Sequence, residues 1–244
     1  MSAIHIAVLN RSTVLTDAQV SAVVPVLQTQ VHRDWAPIWG SDADLSFVGT
    51  GQQPAPGSWW LVVADDSDQA GALGYHDLTS EGLPMGKVFA RSDANAGLQW
   101  TVTASHELLE MLGDPDINLA AYVFTTSTTG TLYAYEVADP CEADQYGYQI
   151  DGVAVSDFVF PAWFENFRTA GSTQFDYGKH ITAPFQLLPG GYIGAFDITG
   201  GSGWHQLTAQ DTAHTYTMRA RVGSRRERRR TPRAQWLLST ASAR

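Results

Sequence analysis

The chain has 244 residues, 44% of them apolar and 11% aromatic, enough to fill one generous hydrophobic core or two small ones. Disorder of the whole chain is thereby excluded, and no run of eighteen apolar residues argues for a membrane span. The net charge of −10 is unevenly placed: residues 1–218 hold six Lys and Arg against twenty-four Asp and Glu, a balance of −18, and residues 219–244 hold nine Arg against one Glu, a balance of +8.

The N-terminus, MSAIHIAVLNRS, lacks the basic start, apolar run and small-residue cleavage site of a secretory signal, so a cytoplasmic or particle-associated setting is expected. The single cysteine, Cys141, can form neither an internal disulfide nor a multi-thiolate zinc knot.

Residues 4–10 read as a buried strand. A helix follows, with Thr16 or Asp17 as N-cap and Val20, Val23, Val24, Leu27 and Val31 at helical spacing; Pro25 inside it predicts a kink or a later start. Short strands are expected at Leu45–Gly49, Trp59–Ala64, Gly71–His76 and Met85–Ala90, divided by Gly-, Pro- and Asp-rich turns. A second helix is expected from Ala94 to Leu112, stopped by Gly113-Asp114-Pro115. Beyond it the texture is β and loop, with a two-residue hairpin turn at Asp151-Gly152 and loop compositions at residues 125–131 and 200–203. These elements predict one α+β domain over residues 1–218, a mixed sheet on two main helices with a β- and loop-rich C-terminal half, followed by an Arg-rich tail at 219–244.

The chemistry concentrates in the second helix, where His106-Glu107-Leu-Leu-Glu110 spells H-E-x-x-E. At about 100° per residue, with His106 at zero, Gln99, Glu110, Thr103 and Glu107 fall at roughly 20°, 40°, 60° and 100°. Trp100, Val102, Ala104, Leu108, Leu109, Met111 and Leu112 fill the remaining arc of roughly 200°, so a mostly buried helix carries one narrow polar stripe. With seven His and seven Glu in the chain, chance supplies such a triple in about one of 170 chains, and the rival reading is a hydrogen-bonded stripe on an amphipathic helix. Residues at i and i+4 project together, so His106 and Glu110 can reach one metal ion, and Glu107 can take a proton from a metal-bound water. This is the logic of the H-E-x-x-H metalloprotease helix with a carboxylate in place of the second imidazole, and zinc accepts both ligand types.

The segment Val102–Pro115, with the strand Met85–Ala90 before it, resembles the active-site region of zincin-type metallopeptidases. The resemblance implies a sheet edge strand beside the motif helix that binds extended substrate, His106 as first ligand, Glu107 as general base and position 110 as second ligand. The family has His where this chain has Glu110, an anionic ligand that shifts preference toward harder ions than zinc, so another divalent metal is an alternative. The gluzincin branch takes a Glu from a later segment as third ligand, which points to Glu136; Asp139, before Pro140, resembles the Asp of another branch and ranks second. Each has the alternative of capping a turn. With Glu142 and Asp144 the same loop offers a calcium alternative that matches no EF-hand. Tyr177 is the candidate oxyanion stabiliser, a role Tyr or His fills in the resembled family.

His180 and His205 are further imidazole donors from the β-rich half, read first as packed or surface residues. An acidic neighbourhood raises the Cys141 thiol pKa and argues against a nucleophile. Ser202 misses the G-x-S-x-G spacing, and no nucleotide-binding glycine motif is present. Phe158, Phe160, Trp163, Phe164 and Phe167 read as core rather than as a substrate cleft. The run Arg225-Arg226-Glu227-Arg228-Arg229-Arg230 suits a solvated terminus, a phosphate backbone, or the acidic body itself, with Trp236, Leu237 and Leu238 as an apolar anchor; the acidic body disfavours nucleic acid elsewhere. The expected partner is a peptide or protein substrate and the expected activity zinc-dependent peptide hydrolysis. The competing expectation is a non-catalytic zincin-like scaffold or particle component.

Overall fold

The computed structural model describes residues 4–69, 71–200 and 203–209. The Arg-rich tail and Ser202 lie outside the described residues. The first half forms a five-stranded sheet from β1 (Ile4–Asn10), β2 (Ala43–Val48), β3 (Trp59–Ala64), β4 (Gly74–Leu78) and β5 (Pro84–Phe89), in the order β2-β1-β3-β5-β4. β1, β2, β3 and β5 run parallel, and β4 pairs antiparallel with β5.

Between β1 and β2 runs α1 (Asp17–Thr29), whose start is set by a capping box: Gln19 N donates to Thr16 Oγ1 at 3.3 Å and Thr16 N donates to Gln19 Oε1 at 2.9 Å. The helix passes through Pro25 rather than starting after it. Residues Gln30–Trp35 then widen into a π turn before the short α2 (Ala36–Trp39) ends at Gly40, φ 77°. Val20, Val23, Val24, Leu27, Val31 and Trp35 all face the core.

Two expectations are corrected here. Met85–Ala90 is not the edge strand: β5 is bonded to β3 on one side and β4 on the other. A tight turn folds the chain back over β5's outer side, with Thr79 N donating to Leu83 O at 2.7 Å, and this makes β4 the edge. The second helix is also two helices, α3 (Ala90–Ala96) and α4 (Trp100–Gly113). Gly97 adopts φ 75° and closes α3, with Gly97 N and Leu98 N donating to Ala94 O and Asp93 O. Gln99 is then extended, so α4 starts afresh.

The second half contains an antiparallel sheet of β6 (Ala120–Phe124), β7 (Gly130–Ala134), β10 (Tyr192–Asp197) and β11 (Trp204–Thr208), ordered β11-β10-β7-β6. A separate hairpin joins β8 (Tyr148–Ile150) to β9 (Val153–Val155) through Asp151, φ 50°, and Gly152, φ 80°, the left-handed pair that the Asp-Gly signal predicts. The fold is α+β. α4 packs on β5, β4 and β9, and α1 on β2. The main core cluster runs from Ile6 on β1 through Leu108 and Leu109 on α4 to Ile193 on β10, so both halves share it. Among the described residues no helix is long and apolar enough to cross a membrane.

Candidate metal centre

Nearly the whole circumference of α4 is covered. Even its polar stripe is inside: His106 is 6% exposed, Glu107 2% and Glu110 0%. Two sheet glycines make room for it. A Cβ at Gly74 on β4 would lie 2.7 Å from Glu107 Oε1, and one at Gly86 on β5 would lie 3.3 Å from Glu107 Cβ. Side chains two apart on a strand share a face, so the face of β4 that is bare at Gly74 presents His76 to the same helix.

Six side chains meet there. His106 Nε2 lies 3.2 Å from Glu110 Oε1 and 3.3 Å from Asp139 Oδ1. Glu110 Oε2 faces the other way, 3.3 Å from His76 Nδ1. His76 Nδ1 is also 3.7 Å from Glu107 Oε2, and its Nε2 is 3.9 Å from Glu136 Oε2. Glu136 lies just beyond the end of β7, and Asp139 opens a short 3-10 turn with Pro140 and Cys141. Both third-ligand candidates therefore reach the cluster, on opposite sides of Glu110. His76 is the member that sequence reasoning missed. It lies at the end of an expected strand, and only the antiparallel pairing of β4 with β5 carries it to α4.

The cluster is crowded with negative charge. Burial opposes a charge on His106, but Glu110, Asp139 and Glu107 outweigh it and hold the imidazole well above its ordinary value. Burial, joined by Glu110, pushes the Asp139 carboxyl up to about 8 despite its contact with His106. Four carboxylates and two imidazoles, each under 9% exposed, leave an excess of buried anion that a cation relieves. Donor atoms of His106, Glu107 and Glu110 lie within 4.8 Å of one another, as do those of His76, Glu110 and Glu136. Such nitrogen and carboxylate sets suit zinc and harder divalent ions.

The remaining candidates lie elsewhere or act differently. Tyr177 Oη donates to Asp34 Oδ1 at 2.8 Å, in a network that runs through Tyr148 and Gln30 to Ser105 on α4. His180 packs its ring against Tyr146, and His205 belongs to β11. Asp144 Oδ2 accepts from Gln99 N at 3.1 Å, at the start of α4. Burial pushes the Cys141 thiol well up, followed by Asp157, Asp176 and Asp139, in keeping with an unreactive sulfur. Phe158, Trp163 and Phe164 are core as expected, but Phe167 is 72% exposed.

A small cleft, open to solvent, leads to the cluster. His106 and Glu107 line it, with Leu73 and Gly74 at β4, Val102 from α4 and Glu142 from the loop beyond Asp139. Comparison of the chain with protein families, with curated proteins and with solved structures returned no match.

Proposed function

We propose that the chain is a metal-dependent peptide hydrolase with a zincin-like arrangement of sheet and motif helix. The observation that carries this reading is the position of Glu107. Glu107 is among the residues that line the cleft, next to the paired His106 and Glu110, with its carboxylate seated at Gly74 of the sheet-edge strand β4. His106, Glu110 and Asp139 are the residues that would hold zinc or another divalent ion. When bound, such an ion polarises a carbonyl and lowers the pKa of water.

The protein's own groups then divide the work. In this reading an extended peptide lies along β4, which lines the cleft at Gly74. Leu73 and Val102 supply apolar contact in the cleft. Glu107 takes the proton from the water that attacks the scissile carbonyl carbon, and returns it to the amine nitrogen as the C–N bond breaks.

The second reading is a non-catalytic scaffold, favoured by one observation: His106 is already ion-paired with Glu110 and Asp139, so the cluster closes on itself. Glu107→Gln separates the two. In the hydrolase, turnover of a peptide library falls by about 10²–10⁴-fold while bound metal is unchanged. A wild-type protein that binds metal yet cleaves no library member, with Glu107→Gln indistinguishable from it, rejects hydrolysis.

A further inference from the structure

We propose that the cluster is a two-metal centre in which Glu110 bridges, with a second divalent cation held by His76 and Glu136. The proposal rests on the metal-site reading above and extends it. The donors fall into two poles. At one, His106 Nε2 faces Glu110 Oε1 and Asp139 Oδ1, at 3.2 and 3.3 Å. At the other, His76 Nδ1 lies 3.3 Å from Glu110 Oε2 and its Nε2 3.9 Å from Glu136 Oε2, and one donor atom from each of the three residues lies within 4.8 Å of the others. Each pole thus has one imidazole and one carboxylate of its own, and the two oxygens of Glu110 point to different poles. A carboxylate shared in this way suits two ions about 3.5–4 Å apart, the usual spacing of two-metal sites.

The cluster also offers enough anionic donors for two ions: Glu107, Glu110, Glu136 and Asp139 are all buried within it. A single ion at the His106 pole also gives no reason for a buried imidazole on the edge strand. His76 is 1% exposed and is brought to α4 by a strand whose Gly74 leaves room for the helix.

The test is metal content per chain, by elemental mass spectrometry, after loading with Mn²⁺ and desalting, together with electron paramagnetic resonance of the same samples. The wild type is expected to hold two ions with a magnetically coupled spectrum. His76→Gln and Glu136→Gln are each expected to hold one, with an isolated six-line spectrum; the two variants report independently should one fail to fold. One ion and an isolated spectrum in the wild type overturn the second pole and leave the His106 site standing. Two uncoupled ions overturn the bridge. No ion after loading with Mn²⁺ or Zn²⁺ overturns both this proposal and the reading beneath it.

Discussion

His76 on the edge strand and Glu110 on the motif helix meet at 3.3 Å, Nδ1 to Oε2, inside the protein. The contact ties the rim of the sheet to the centre of the H-E-x-x-E motif. Movement of β4, the strand proposed to receive substrate, is therefore felt directly at a proposed metal ligand.

The seat of Glu107 is the first place to test this geometry. Gly74→Ala puts a methyl group where Glu107 Oε1 and Thr103 Cγ2 each lie 2.7 Å away. The backbone of β4 or the carboxylate must shift, and displacements near 1 Å at a reacting group cost about 10²-fold in rate. Overpacking of this kind destabilises by about 1–3 kcal/mol. We expect peptide turnover to fall at least tenfold with a cooperative melt retained; unchanged kinetics would show that Glu107 does not depend on this seat.

Tyr177 gives a contrasting expectation. Its hydroxyl donates to Asp34, which also accepts from Arg33 and Tyr148. Tyr177→Phe removes one of these bonds and should lower stability by about 0.5–1.5 kcal/mol in urea unfolding, leaving kcat as it was. A hundredfold loss of kcat would instead restore the oxyanion role that the family resemblance implies.

Metal removal should destabilise the fold, because the ion binds the native cluster and the unfolded chain lacks it. A ligand at 100 times its Kd contributes about 2.7 kcal/mol. Chelation is therefore expected to lower Tm by several degrees, and graded return of Zn²⁺ or Mn²⁺ to restore it in wild type but not in His106→Ala. A Tm indifferent to chelator and metal alike argues against a folded-state site.

A separate group sets a pH dependence. Asp157 is fully buried and its carboxyl is pushed up to about 8, by burial first and then by the neighbouring Asp176 carboxyl. The native value exceeds the unfolded one, so the native state binds the extra proton. Its contribution is complete below about pH 4 and is lost as pH rises through about 8. Tm should fall between about pH 4 and 8, and Asp157→Asn should flatten the fall, since its amide oxygen keeps the bonds from Phe158 N and Gly178 N and its amide group replaces the acid proton. Asp93, pushed up to about 7 by burial, acts in the same direction, so the slope shrinks rather than vanishes. An equal slope in the variant would reject the assignment.

Local signals carried much of this fold. The Thr16 cap, the strand Trp59–Ala64 and the left-handed pair at Asp151-Gly152 each depend on neighbouring residues, and each falls where those residues place it. The pairing of His106 with Glu110 was legible for a related reason, since helical spacing joins them, whereas Glu136 and Asp139 were named only through the family resemblance. The misses are non-local or turn on a single glycine. Gly97 sits in a stretch of good helix formers, and its positive φ, which divides α3 from α4, is a choice of backbone that periodicity does not register. The edge position of β4 depends on which strand folds back over β5, and His76 inherits that ambiguity. A histidine two residues after a glycine, in a strand just ahead of the motif helix, was the available signal.

The bond from Gln99 N to Asp144 Oδ2 gives the site a further property. It fastens the first turn of α4 to the segment that follows Asp139, so the helix carrying His106 and the loop carrying its partner carboxylate are joined at a second point. The separation of those two proposed ligands is thereby held by the chain itself. A cation bound there would need little ordering of the chain, and its affinity would be governed by the donors themselves rather than by the work of assembling them.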